Sequence, residues 1–285
     1  MIAKITRISQ KHLIRRLELI KGFLFHNRID VYWFAKTPNF GDLLTPELLR
    51  FYGFTPINTS KKDAQLLLIG SILDQVPENF PGIILGSGLM YDQPKIFPNA
   101  NIIAVRGMLT KERIGAPDTV ILGDPGLLAD RILRKRQVKT YKLGIVLHFV
   151  DQGDERIKKI SQRHPKGILI IDVRQNPKNV IRNIDKCEYI LSSSLHGLIT
   201  ADSLGIPNGW IKLSEKVLGH GFKIFDYASS INKIIEPNLI DGSESLNELI
   251  NFTRPVSKDV QMVKDKLHYV FSGLKESMDR WFSRY

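Results

Sequence analysis

Short apolar runs recur through the first half of the chain, and each breaks off into glycine, serine, arginine or aspartate. After Val31–Phe34 come Leu66–Ile69 with Gly70-Ser71, and Gly82–Leu85 with Gly86-Ser87-Gly88. Ile102–Val105 follows with Arg106-Gly107, then Val120–Leu122 with Gly123-Asp124-Pro125. Runs this short and this apolar read as buried strands, and helical segments lie between several of them. The repeat predicts an α/β fold with a parallel, doubly wound sheet, its polar residues gathered along one edge. In such sheets the carboxyl edge is where ligands bind. The small residues Ser87 and Gly88 would let a ligand or another backbone come close there, and equally suit a plain strand-to-loop turn.

The pattern starts again after a polar, basic stretch. Leu143–Leu147 leads to His148, Gly167–Ile171 leads to Asp172, and Tyr189–Leu191 leads to Ser192-Ser193-Ser194. Asp130–Tyr141 reads as the interdomain connector, since basic runs are mostly solvated. With 285 residues, 43% of them hydrophobic, the chain can hold two such domains. We place them at 29–135 and 142–256. Residues 257–285 carry Val260, Val263, Leu267, Val270, Leu274, Met278 and Trp281 on one helical stripe, so a single long terminal helix should pack back on the domains. Residues 1–28 alternate apolar and basic positions as an amphipathic helix would, able to lie on a membrane surface or simply to pack with a solvated basic face.

The single cysteine, Cys187, rules out an internal disulfide and a zinc–thiolate cluster, and points to the cytoplasm. No metal or other cofactor is expected. The net charge of +12 is uneven, because residues 1–142 hold 21 Lys and Arg against 12 Asp and Glu. Anionic substrates or an anionic membrane surface suit that excess. Nucleic acid does not, because no nucleic-acid-binding motif accompanies it.

Two places carry chemistry. In Tyr189–Ile211 a strand runs through the triple serine into a helix whose first turn holds His196, and Gly205 with Pro207 stops that helix. First-turn N–H groups lack intrahelical acceptors, and the helix dipole favours negative charge beside them. Ser193, Ser194, Leu195 and His196 thus form a candidate anion site. A lone histidine there is also compatible with a purely structural role. The second place is Asn39-Phe40-Gly41-Asp42, expected on a loop after the first strand, with Thr45-Pro46-Glu47 as the entry to the next helix.

Taken together, Asn39–Asp42, Val105–Thr110, Gly123–Gly126, Ser192–Ile199 with Gly205–Pro207, and Gly221–Lys223 with Asp226-Tyr227 resemble the polysaccharide pyruvyl transferases. The resemblance spans about residues 30 to 230. It implies two Rossmann-like domains facing across a cleft, as in GT-B glycosyltransferases. It also implies phosphoenolpyruvate as donor, a sugar or lipid-linked oligosaccharide as acceptor, and a pyruvate ketal as product. The family's donor-binding residues map onto Arg106, Leu195, His196 and Lys216. Some relatives have arginine where this chain has Ser194, so Lys212 or Lys223 would supply that charge.

Phosphoenolpyruvate needs several cationic donors and free N–H groups. Its methylene carbon must be protonated, for which His196 is the natural donor unless it serves the phosphate instead. The acceptor hydroxyl needs a base, with Asp42 the first candidate and Asp226 the second. Asp124 joins the substrate-binding set. Two other functions suit the same sequence: a glycosyltransferase using a nucleotide sugar, and a non-catalytic basic protein docking on membranes through residues 1–28.

Overall fold

The computed structural model describes residues 27–283. The amphipathic helix expected over residues 1–28 therefore lies outside them, except that Arg28 opens the first strand.

Two parallel sheets form the molecule. The first orders its strands β2-β1-β3-β4-β5-β6, with β1 Arg28–Tyr32, β2 Thr55–Asn58, β3 Leu66–Leu67, β4 Ile83–Leu85, β5 Asn101–Val105 and β6 Ile121–Leu122. The second is β10-β9-β7-β8, with β7 Tyr141–Leu147, β8 Ile168–Asp172, β9 Cys187–Ser192 and β10 Asn208–Trp210. Every strand pairing is parallel. The α/β class with parallel sheets is thus as the apolar runs indicate.

The strands are apolar at nearly every position because both faces are covered. Leu66, Ile83, Leu85, Ala104, Val146 and Ile190 point into one large core shared by the two sheets. Their neighbours Leu67, Ile84 and Val105 face a smaller cluster outside the first sheet, while Ile145, Leu147 and Leu191 face one outside the second. The shared core is filled by α1 Phe40–Phe51, α4 Pro177–Asp185, α5 Leu195–Ser203 and a 3₁₀ stretch, Pro125–Ile132. The remaining helices are α2 Met108–Ile114, α3 Glu155–Arg163, α6 Phe222–Ser230, α7 Leu246–Asn251, α8 Val260–Ser272 and α9 Leu274–Phe282. One core thus contains buried residues of both halves.

Three local expectations are corrected, and one strand is added. Helix α1 begins at Phe40, with Asn39 as its cap, and runs through Pro46. Thr45-Pro46-Glu47 imitates a helix entry, but the Asn39 side chain had already satisfied the first turn, accepting from Gly41 N at 3.4 Å. Strand β2 was missed because Thr55-Pro56-Ile57-Asn58 is only half apolar; as the edge strand it tolerates a proline. The basic run Asp130–Tyr141 is no free connector. Asp130 to Ile132 belong to the 3₁₀ stretch, Asp130 pairs with Lys264 at 2.8 Å, and Arg136 pairs at 2.8 Å with the fully buried Asp185. The terminal helix is broken in two at Gly273. Both pieces bury the expected stripe, through Val260, Val263, Leu267, Leu274 and Met278.

Candidate functional site

The carboxyl ends of the two sheets meet at a cavity of about 200 Å³. From the first half, Tyr32, Asn39, Asp42, Ser71 and Met90 line it. From the second come His148, Ser194, Leu195, His196 and Lys223. They sit at or after the carboxyl ends of strands or at the starts of helices, so the parallel topology puts them together.

Helix α5 points its N-terminus into this space. Ser194 is its cap, in extended conformation and with no capping side-chain bond. Its own N–H is taken by Ser192 Oγ at 3.0 Å. The next two N–H groups, of Leu195 and His196, have no intrahelical acceptor by position. Ser193 is tied to the sheet, its hydroxyl accepting from His148 N at 2.9 Å.

His196 is almost wholly buried. Its ring lies edge-on to Phe40 and directly against Gly41. A methyl group on Gly41 would fall 2.6 Å from the ring Cγ and closer still to Nδ1. Burial, helped by the charges of Lys223, Arg106 and His148, pushes the imidazole down to about 3. It is therefore neutral at pH 7. The same cause, with Lys223 added, takes His148 down to about 4.

The carboxylates shift the other way. Burial raises Asp42 to about 7 against the opposing pull of Asn39 and Lys223, and Asn39 Nδ2 donates to it at 2.8 Å. Burial also raises Asp124 to about 7. Lys223, likewise buried, is brought down to about 8 by desolvation and by the Arg106 charge. Among the described residues its ammonium makes no hydrogen bond or ion pair, although it feels Asp42 and Asp151. A buried, unpaired cation beside free N–H groups is a seat for an anion.

Other candidates stand elsewhere. Arg106 is fully buried and spent on the protein. It donates to Asp226 at 2.8 Å, to Ser71 Oγ at 2.6 Å and to the Leu89 carbonyl. Asp226 in turn accepts from Thr110 N and Thr110 Oγ. Neither lines the cavity. Gly88 lies under the Arg106 guanidinium, and Ser87 donates to the Leu68 carbonyl at 3.1 Å; both support the floor. Lys212 pairs with Glu215 at 2.6 Å, beside a small adjoining pocket that also holds Asp151, Trp210 and His220. Lys216 is exposed and lines neither space. Asp124 stands behind His196 rather than in the cavity. His148, Ser71 and Tyr32 were not singled out from sequence. Their signal was position, since each directly follows or ends a strand run.

Fold and site together define an α/β protein with two parallel sheets and a polar cavity where their carboxyl ends meet. The chain belongs to the polysaccharide pyruvyl transferase family, whose model matches residues 42–214. Two curated relatives are similar over most of its length. One is the succinoglycan biosynthesis protein ExoV of Rhizobium meliloti (strain 1021), 29% identical over 81% of this chain and 73% of that protein. The other is the uncharacterized protein L143 of Acanthamoeba polyphaga mimivirus, 28% identical over 86% of this chain and 90% of that one. Solved structures with partial likeness include the uncharacterized protein KP1_0663 from Klebsiella pneumoniae subsp. pneumoniae NTUH-K2044. It is 12% identical with a TM-score of 0.36, over 79% of this chain and 97% of that one. Another is AviGT4, a glycosyltransferase involved in avilamycin A biosynthesis, 13% identical with a TM-score of 0.35, over 76% and 74%. No helix among the described residues is long and apolar enough to cross a membrane, and no group of three or more His, Cys, Asp or Glu there is placed to hold a metal ion.

Proposed function

We propose that the protein transfers the enolpyruvyl group of phosphoenolpyruvate to two hydroxyls of a surface-polysaccharide sugar or its lipid-linked precursor, forming a pyruvate ketal and releasing phosphate. The observation that carries this is the buried Lys223, without a hydrogen-bond or ion-pair partner among the described residues, beside the open N-terminus of α5 and His196 in one cavity. Those groups suit a small molecule bearing a phosphate and a carboxylate.

The chemistry has two additions at one carbon. The first acceptor hydroxyl bonds to C2 of the enol as the methylene C3 takes a proton and becomes a methyl group. The second hydroxyl then bonds to C2 while the C2–O bond to phosphate breaks. Phosphate leaves with that electron pair and receives the second hydroxyl's proton. Asp42, raised to about 7, is divided between its two forms at neutral pH. It can therefore take a proton from one hydroxyl and give one at another step. His196 is neutral at pH 7 chiefly because it is buried. A bound dianion would offset the Lys223 and Arg106 charges that depress it further, so donor binding would raise its proton affinity. Arg106 serves by fixing Ser71 and Asp226 rather than by touching the donor.

The test is incubation with phosphoenolpyruvate and a panel of lipid-linked or synthetic glycans. Phosphate release that depends on the acceptor, with a mass gain of one ketal pyruvate, is expected. Binding of a nucleotide sugar by calorimetry, with no response to phosphoenolpyruvate, would favour a glycosyltransferase instead.

A further inference from the structure

His196 Nε2 and Asp124 Oδ2 are both buried and both lack a hydrogen-bond partner among the described residues. They lie 3.7 Å apart. Two orphaned buried polar atoms are costly singly, and together they form a pair that a small closure would satisfy. Asp124 is well held for this purpose. Its other oxygen, Oδ1, accepts from Gly126 N at 2.8 Å and caps the 3₁₀ stretch. The ring opposite is clamped as well, between Gly41 on one side and Gly126, whose added Cβ would fall 3.5 Å from the ring Cδ2.

We propose that Asp124 is the positioning residue for His196: it engages Nε2 from behind, fixes the imidazole tautomer, and leaves Nδ1, beside Gly41, as the nitrogen that works on the substrate. This deepens the pyruvyl-transfer reading and rests on it for the identity of the substrate, but not for the pairing itself.

The pairing has a consequence in pH. With Asp124 ionised, Nε2 carries the hydrogen and donates it to the carboxylate, so Nδ1 presents a lone pair to the cavity. With Asp124 protonated, its hydroxyl donates to Nε2, and Nδ1–H becomes a donor. Burial places that exchange near pH 7. The groups that bias it come from every side: Asp42 on α1, Arg106 after β5, His148 after β7, and Lys223, Asp226 and Tyr227 on α6. The arrangement follows the general rule that the partner of one ring nitrogen decides what the other can do.

The experiment is ¹⁵N-histidine NMR on the whole protein without substrate, beside steady-state kinetics. Wild-type His196 should be the Nε2–H tautomer at pH 8.5 and pass to Nδ1–H as the pH falls through about 7. Asp124→Asn keeps an oxygen for Gly126 N and offers an amide N–H to Nε2, so it should show Nδ1–H at both pH values. Its kcat should fall about 10- to 100-fold with a smaller change in KM, and Asp124→Glu should recover part of that loss. Nδ1–H in the wild type at pH 8.5, or an unchanged tautomer in Asp124→Asn, would overturn the proposal. If Asp124→Asn does not fold, the wild-type spectrum alone decides. The tautomer is read without phosphoenolpyruvate, so a failure of the pairing and a failure of the pyruvyl-transfer reading are separate results.

Discussion

Lys223→Met should make the protein more stable and less able to bind its donor. Lys223 is 7% exposed, and burial, with the Arg106 charge, brings its ammonium from 10.5 to about 8. Folding a charged lysine into this site therefore costs about 3 kcal/mol, since each pKa unit is worth about 1.4 kcal/mol. The sign follows from linkage. The group's folded value lies below its unfolded value, so the penalty is complete below pH 8, shrinks between pH 8 and 10.5, and is absent above. Methionine keeps the apolar stem and omits the charge. The variant should gain up to about 3 kcal/mol at pH 7, a rise of several degrees in Tm for a chain of this size, and little or nothing at pH 10.5. Asp42 loses a favourable neighbour in the variant, so its carboxyl should move above 7. Phosphoenolpyruvate affinity should drop at least tenfold, as expected for the loss of a charge-assisted contact. Denaturant melts at both pH values, with calorimetry of donor binding, test all of this. A variant that is destabilised at pH 7, or that binds phosphoenolpyruvate as tightly as the wild type, would refute the assignment of Lys223 as a cation kept unpaired for a ligand.

In the wild type, donor affinity should weaken as pH rises through about 8, because Lys223 loses its charge there; a flat profile from pH 7 to 9.5 would count against it. Donor binding at pH 7 should take up protons at Asp42 and Asp124, both near 7, and calorimetry in buffers of different ionisation heat reads that number directly. Gly41→Ala should lower turnover about 100-fold or more, because the added methyl occupies the face of His196 next to Nδ1; full activity would show that this face is not used. Arg106→Lys should act through the fold. It cannot serve Asp226, Ser71 and Leu89 at once, so a loss of about 3 kcal/mol or more in stability is expected, whereas a pure rise in KM would place Arg106 on the donor after all.

What the sequence disclosed and what it hid divide along one physical line. Periodicity reports burial, so the parallel strands, their shared polar edge and the helix behind His196 were legible. The shortness of the strand runs and their flanking glycines favour strands over buried helices. Capping is subtler. Asn39 and Thr45-Pro46 both look like helix starts, and only the register of α1 against Val173, whose carbonyl accepts from Phe40 N at 2.8 Å, decides between them. Long-range polar pairing is not written locally at all.

That last gap explains why the charged candidates sorted as they did. Arg106 closes an apolar strand run and Lys223 follows Gly219-His220-Gly221, and both end up buried. Yet Asp226, 120 positions from Arg106, neutralises the arginine, while Lys223 has no carboxylate in hydrogen-bonding reach among the described residues. Asp226 also holds Thr110, and α6 carries it and Lys223 on neighbouring turns. One helix of the second half thus satisfies the buried cation of the first half and delivers its own lysine to the cavity. The fully paired Arg106 sets the positions of Ser71 and α6, and it adds the positive potential that lowers Lys223 and His196. A structural ion pair thereby tunes the site without touching its ligand, which is why removing Arg106 should disturb the pKa of His196 and the stability of the fold together.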